Sequence, residues 1–246
     1  GIPITAFSTG EGTGSVSCTL PEVIEACDHD DINIVRIGTS GGLQPYLQIG
    51  DLVVATDVTK QDATSERPID LLYAIQKRFH DPDHPKWKKV MDRVRYRYKT
   101  SEGFGEALAE TFRHHRVKGD YAPSTDRSVF IALTEAALAN HVNGQKLFEG
   151  SINTTADIYA NTMLAATEEH DEFAVSMETS AICAYRDFYN LVDGRDINVG
   201  TLLMISDNVV GEADNMADFF NRKQEFEEAH ILAGLEALLE LRRVDN

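Results

Sequence analysis

The segment of residues 35–58 constrains this chain most, because two apolar strands there flank a run of small residues. We expect strands over 32–37 and 51–58, with a turn over 38–42 between them. Glycines in such a turn let backbone N–H groups approach a ligand closely. Arg36, just before the turn, offers a planar fork of donors that matches an oxyanion. The segment therefore predicts an anion site at the end of a buried strand.

Strands and helices alternate along the rest of the chain, and this order predicts an α/β fold with a central sheet flanked by helices. The length of 246 residues predicts one domain. The start of the first helix is left open between Ser15 and Leu20, because Pro21 fits best in a first turn. Further strands are predicted over 2–8, 147–152 and 198–205, and helices over 15–28, 69–80, 106–115, 128–141, 177–191 and 216–241.

The formal net charge of −17 argues against nucleic acid and anionic membranes as partners, because an acidic surface repels both. No run of eighteen apolar residues occurs in the sequence, so no membrane span is expected. The three cysteines are unpatterned and the histidines lack metal-binding spacing, which predicts reduced thiols, a cytoplasmic location and no metal. The basic run of 77–99 predicts a solvated helix or, alternatively, a subunit contact or an anion funnel.

Three short motifs, in the same order along the chain, resemble the purine nucleoside phosphorylase and uridine phosphorylase family. The first is the glycine-rich loop Ser-Thr-Gly-Glu-Gly at 8–12. The second is Arg-Ile-Gly-Thr-Ser-Gly-Gly at 36–42, followed by Ile-Gly-Asp-Leu-Val at 49–53. The third is Ser-Met-Glu-Thr-Ser-Ala at 176–181. One such motif alone is weak, whereas three in order are specific.

The resemblance implies a three-layer α/β/α fold with a mixed, partly closed central sheet of the phosphorylase type. The domain would span 1–246, with an extended insertion at about 60–127. The chain starts at a strand that family members reach only after a few dozen residues. We therefore expect the family's N-terminal strands to be absent, in a fragment or a naturally short member, which would leave a sheet edge unpaired.

The resemblance also implies two groups of binding residues, one for phosphate and one for ribose. A single carboxylate has two oxygens and can accept hydrogen bonds from two ribose hydroxyls, which suits Glu178. Glu11 departs from the family, which usually has an apolar residue there, and a carboxylate beside phosphate is unfavourable. The implied phosphate-binding residues are Gly10, Gly12, Arg36 and Thr39, and the implied ribose-binding residues are Met177 and Glu178.

Two further groups are implied for the base. Asp207 follows a buried strand, where α/β sheets place ligands, and would act as a general acid toward a purine. Arg222 would support Asp207, although its spacing is longer than usual in the family. The base pocket would contain Thr155, Ile158 and Tyr159. The glutamine and arginine by which uridine phosphorylases recognise uracil are not visible after Ile158, which argues against standard uridine recognition.

The same residues also have structural interpretations. A glycine-rich turn can simply reverse the chain. Arg36 can form a structural ion pair, Glu178 can be a carboxylate favoured by a helix dipole, and Asp207 can cap a turn.

The function implied is that of a nucleoside phosphorylase, a pentosyltransferase of nucleoside salvage. Inorganic phosphate would be the co-substrate and no cofactor would be needed. The products would be free base and ribose 1-phosphate, with purine slightly favoured over uridine. The alternatives are a uridine phosphorylase, a hydrolytic nucleosidase of the same superfamily, and a non-catalytic storage or structural relative. The resemblance further implies a homodimer or a hexamer built as a trimer of dimers.

Overall fold

The computed structural model describes residues 4–61, 124–155, 171–211 and 216–244. The expected helices at 69–80 and 106–115, the basic run of 77–99 and most of the expected insertion lie outside these residues. The described part contains, in chain order, α1 Gly12–Ala26, β1 Asp31–Gly42, β2 Leu52–Gln61, α2 Arg127–Asn140, β3 Leu147–Thr155, β4 Ala174–Ser176, α3 Thr179–Asp193, β5 Asp196–Asn208 and α4 Met216–Val244.

The five strands form one mixed sheet in the order β1-β4-β3-β2-β5, which closes because β5 also pairs with β1. β1 runs parallel to β5 from the pair Asp31–Asp196 to the pair Gly42–Asn208. β3 runs parallel to both β2 and β4. The pairs β1–β4 and β2–β5 are antiparallel. The expected mixed, partly closed sheet is therefore confirmed.

Helices cover both faces of the sheet, as the three-layer expectation requires. On one face, α1 and α3 pack with the sheet around a core that includes Leu20, Ala181 and Leu203. On the other face, α2 and α4 form a second core that includes Leu133, Leu202 and Ala233. None of the helices in the described part of the chain has the length and apolar character needed to span a bilayer.

The small-residue segment 38–42 is a strand and not the expected turn. It forms the last five residues of β1 and stays paired with β5 through Gly42, with a register shift after Ser40. The small residues permit this close packing, since a Cβ on Gly41 would lie 2.8 Å from Val209 Cγ2. The chain reverses later, in the segment 43–51 before β2. The turn prediction was wrong because glycines are common both in turns and in strands that another segment approaches closely. The sequence alone does not distinguish these two cases.

The start of the chain also differs from expectation. Residues 4–10 contain no regular secondary structure, so the strand predicted over 2–8 is not formed in its described part. α1 begins at Gly12, earlier than predicted, and Pro21 lies inside it. Among the described residues, 31–40 of β1 pair with β5 alone. Within the described residues, this stretch of β1 therefore has one edge without a strand partner.

The junction that leads into α2 is held by a partly buried ion pair. Asp126 is the N-cap residue of α2, but its side chain makes no capping hydrogen bond. Its Oδ2 instead accepts from Arg186 Nη1 at 2.6 Å and from Val199 N–H at 2.7 Å. Arg186 is 6% exposed and also donates to the Ser124 carbonyl at 2.8 Å. These contacts tie α2 and α3 to β5.

The contact between α4 and β5 contains a buried histidine that makes stability depend on pH. His230 Nε2 lies 3.0 Å from the Leu202 carbonyl oxygen. Burial lowers the pKa of His230 from 6.5 to about 4; the Leu202 hydrogen bond opposes this and the charge of Arg36 adds to it. Since the unfolded chain binds this proton at higher pH, the free energy of unfolding falls as pH drops from 6.5 to about 4.

We expect His230 to remove roughly 3 kcal/mol of stability across that pH range. Replacement by Gln, which can still donate to the Leu202 carbonyl, should flatten this part of the profile. The measurement is urea unfolding at several pH values for the wild type and His230→Gln. His141→Gln is the matched control, because His141 is exposed. Parallel wild-type and His230→Gln profiles would contradict the assignment.

Candidate active site

A cavity of about 390 Å³ lies between the start of the chain, β1 and α4. Residues 4–11 form one wall, and residues 34–39 of β1 form another. Gly234 brings α4 close to β1 on this side, since a Cβ there would lie 2.2 Å from Ile37 Cδ1. The charged side chains among the described residues that line the cavity are Glu11, Arg36 and Glu178.

Arg36 projects from the middle of β1 and its side chain is only 10% exposed. Its guanidinium lies against Gly38, where an added Cβ would be 3.0 Å from Nη2. Gly38 therefore makes room for the side chain. Burial lowers the pKa of Arg36, and the charge and hydrogen bond of Glu178 oppose that effect. An arginine remains protonated in proteins, so the cavity contains a permanent positive charge.

Glu178 is the partner of Arg36. Its Oε2 pairs with Arg36 Nη2 in a buried salt bridge, and its Oε1 accepts from Gly12 N–H at 2.8 Å. Met177 N–H lies 3.3 Å from Oε2. Glu178 is the N-cap residue of α3, and Gly12 is the first residue of α1. One carboxylate thus joins β1 and the N-termini of two helices. The residues that meet there were implied by the family resemblance to bind phosphate, in the case of Arg36 and Gly12, and ribose, in the case of Glu178.

The two glycines implied for phosphate adopt conformations that favour glycine. Gly10 has φ 71° and Gly12 has φ 81°. A Cβ on Gly10 would lie 2.4 Å from Ser15 Oγ. Gly10 lines the cavity, and Gly12 donates its N–H to Glu178. The structure thus brings both glycines to the same site as Arg36; phosphate binding by them stays a prediction.

Thr39 is exposed and also lines the cavity. It is three residues from Arg36 in β1, and residues three apart in a regular strand point to opposite faces. The cavity reaches both faces of the sheet, because residues of α3 on one face and of α4 on the other both line it. Met177 lies beside Gly12, since a Cβ on that glycine would be 3.7 Å from Met177 Cε.

A buried group of hydroxyls behind Glu178 was not anticipated. Ser176 Oγ lies 2.9 Å from Thr179 Oγ1, and Thr154 Oγ1 accepts from Ser180 N–H at 3.2 Å. These contacts anchor the backbone on both sides of Glu178. The run Ser-Met-Glu-Thr-Ser contained this signal, because hydroxyls that flank a helix start commonly bond to nearby backbone and side chains.

Asp207 lies at the carboxyl end of β5 and is exposed. Ser206 Oγ donates to its Oδ1 at 3.2 Å. Asp207 pairs with Gly41 in the β1–β5 register. Gly41 lies three residues after Gly38, against which the Arg36 guanidinium packs. At about 3.3 Å per residue, the strand rises by about 10 Å between these glycines. Asp207 is therefore displaced along β1 from the Arg36–Glu178 pair by a distance comparable to the length of a nucleoside.

Arg222 occupies α4 and has several partners there. Its Nε donates to Glu225 Oε2 at 2.9 Å, and its Nη1 donates to the Asn143 carbonyl at 3.2 Å. Its guanidinium carbon also lies 5.1 Å from the centre of the Phe226 ring. These contacts give Arg222 a structural role, and support of Asp207 by Arg222 stays a prediction.

Of the three residues implied for the base, the described part of the chain contains Thr155. This residue is buried at the end of β3, next to Thr154, whose hydroxyl belongs to the buried cluster behind Glu178. Ile158 and Tyr159 lie outside the described residues. Within the described residues, no cluster of three or more histidine, cysteine or acidic side chains is arranged to hold a metal ion.

The fold and this site together define the class of protein: a three-layer α/β protein in which an arginine and the N-terminus of a helix converge on a buried carboxylate. The chain belongs to the phosphorylase superfamily, whose family model matches residues 1–240. The resemblance of the three sequence motifs is thereby confirmed.

Individual relatives match shorter segments. A uridine phosphorylase of Thermococcus kodakarensis is 33% identical over 73 residues, which are 30% of this chain and 25% of that protein. A guanosine phosphorylase of Halorubrum lacusprofundi is 36% identical over 67 residues, which are 27% of each chain. The matched segments thus span about a quarter of these curated relatives. A crystal structure of uridine phosphorylase from Vibrio fischeri shares the fold, with a TM-score of 0.58, 16% identity, and coverage of 96% of this chain and 72% of that chain.

Proposed function

We propose that this protein is a nucleoside phosphorylase, a pentosyltransferase that moves a ribosyl group from a nucleoside to inorganic phosphate. One observation carries the proposal: Arg36 and the Gly12 N–H, both suited to phosphate, converge on Glu178, which is suited to ribose hydroxyls. Phosphorolysis needs the two substrates in contact at one site, and this arrangement supports that. Membership of the phosphorylase superfamily supports the same reaction class.

In the proposed reaction, a phosphate oxygen attacks the anomeric carbon of the ribosyl group. The bond from that carbon to the base nitrogen breaks, and its electron pair goes to the base. Asp207 donates a proton to the leaving base and regains one from the phosphate or from solvent. Arg36 offsets the charge of the phosphate, and Glu178 orients the ribose through its hydroxyls. The developing oxocarbenium character resembles that in glycoside cleavage generally.

The preferred base is proposed to be a purine, although the margin over uracil is small. An aspartate at the carboxyl end of β5 supports a purine, because that end of the sheet is where α/β proteins bind ligands and a carboxylic acid there can protonate a leaving purine. Relatives of both kinds are found: one is named a guanosine phosphorylase and others are named uridine phosphorylases.

A hydrolytic nucleosidase is the second candidate, and one observation favours it. Glu11 and Glu178 outnumber the single positive charge of Arg36 among the described charged residues that line the cavity. A site of net negative charge disfavours a phosphate dianion and does not disfavour water. The third candidate, a non-catalytic relative, would bind phosphate or nucleoside without turnover.

We expect phosphate-dependent release of base from inosine, with slower release from uridine. The measurement is base release from each nucleoside by the 246-residue chain, with and without inorganic phosphate. Release that does not need phosphate would move the assignment to a nucleosidase. If neither nucleoside is cleaved, a fragment of a longer enzyme or a non-catalytic relative replaces the proposed assignment.

A cytoplasmic homodimer, or a hexamer built as a trimer of dimers, is part of the same proposal. Exposed apolar side chains on two helices support an interface between copies. Ile131 and Leu138 of α2 are 44% and 54% exposed, and Phe220 of α4 is 66% exposed. Sedimentation velocity would distinguish a monomer from either assembly.

A further inference from the structure

The carboxylate of Glu178 occupies the donors that an anion would use. A guanidinium and a backbone N–H at a helix N-terminus are the usual donors for phosphate. Here Arg36 and Gly12, the first residue of α1, both donate to Glu178. The side chains of Arg36 and Glu178 are only 10% and 11% exposed, so water competes weakly for either group.

A second nitrogen of Arg36 also suggests that this site can accept an anion. Its Nη1 is buried and has no hydrogen-bond partner among the described residues. A buried donor without a partner is costly, and a ligand oxygen would remove that cost. Glu178 thus engages Nη2 of the guanidinium, whereas Nη1 is available to a ligand oxygen.

The backbone around Glu178 is anchored, so a change at this site would be confined to the side chain. Thr179 bonds to Ser176 at 2.9 Å, and Ser180 N–H donates to Thr154 at 3.2 Å. Glu178 also borders the 390 Å³ cavity, which offers its carboxylate a second position.

We propose that Glu178 acts as an internal anion that blocks the phosphate site until a nucleoside binds. Ribose hydroxyls then draw the carboxylate away from Arg36 and from Gly12 N–H, and phosphate takes over those donors. Nucleoside and phosphate therefore bind with positive coupling, nucleoside first. The inference rests on the proposed function only in taking ribose as the ligand of Glu178. By thermodynamic reciprocity, phosphate also tightens nucleoside binding by the same factor.

The test measures the dissociation constant of inorganic phosphate by calorimetry at constant ionic strength. Glu178→Gln keeps the shape of the side chain and removes its charge. We expect it to bind phosphate about tenfold more tightly than the wild type, because a competing carboxylate is lost. Glu11→Gln is the matched control: Glu11 lines the same cavity, and its carboxylate makes no capping hydrogen bond at α1. Equal tightening in both variants would overturn the proposal, as would weaker binding in Glu178→Gln.

The second measurement is decided by the wild type, so its outcome does not depend on how well a variant folds, and Glu178→Gln serves only as a comparison. The probe is a C-nucleoside, whose carbon–carbon glycosidic bond is not cleaved. We expect the probe to tighten phosphate binding by about fivefold or more in the wild type, and not in Glu178→Gln. Absence of coupling in the wild type would overturn the inference even if inosine is phosphorolysed. Conversely, coupling without turnover would overturn the proposed function and leave the inference standing.

Discussion

Replacing Asp207 by Asn is expected to lower kcat for inosine phosphorolysis by about 10²- to 10⁴-fold, because asparagine has the same shape but cannot donate an acidic proton. Asp207 is exposed at the end of β5, so the substitution should leave the fold unchanged. The measurement is steady-state turnover of inosine at saturating phosphate, for the wild type and Asp207→Asn.

The control for Asp207 is a substrate whose leaving group needs no proton, such as 4-nitrophenyl riboside. Its turnover should be nearly equal in the two proteins, because the acid no longer contributes. A similar loss with both substrates would indicate a positional role for Asp207. Unchanged inosine turnover would remove Asp207 from the mechanism.

Replacing Arg36 by Met is expected to affect both stability and activity. Methionine is similar in length but leaves the Glu178 carboxylate buried without its charged partner, which should cost about 3–5 kcal/mol of folding free energy. Phosphate-dependent turnover should fall by about 10²- to 10³-fold, as when a single preorganised donor is removed. The measurements are urea unfolding and steady-state kinetics with varied phosphate.

The double variant Arg36→Met with Glu178→Gln separates these effects. Because no unpaired charge remains, it should regain most of the lost stability while activity stays low. Arg36→Lys keeps the charge but loses the planar fork, and should fall between the wild type and Arg36→Met in phosphate affinity. If Arg36→Met is as stable as the wild type, the Arg36–Glu178 pair contributes nothing to the stability of the fold.

The regular elements were predictable because their patterns are local. The helix expected over 128–141 is Arg127–Asn140, and the one expected over 216–241 is Met216–Val244. The apolar run of 198–205 lies inside β5. In each case the spacing of apolar residues along the chain already specifies which face is buried.

Two predictions failed where distant contacts outweigh local preference. Residues 38–42 look like a turn, yet they extend β1 because β5 pairs with them throughout. The strand expected over 2–8 is not formed in its described part, because residues 4–8 do not pair with β1, whose residues 31–40 pair with β5 alone in the described part of the chain. A strand needs a partner, and no local pattern supplies one.

The sequence by itself determined the family and most of the described strands and helices, although it missed the short strand β4, and it predicted Arg36 and Glu178 as site residues. It also left each of these two residues with a structural and a functional interpretation. Only the tertiary structure decided that the two are partners and that Gly12 N–H completes the arrangement, since Arg36 and Glu178 are 142 positions apart. The physical reason is that two charges can pair only if folding brings their chain segments together. Here the closure of the sheet does so, and long-range packing determines that closure.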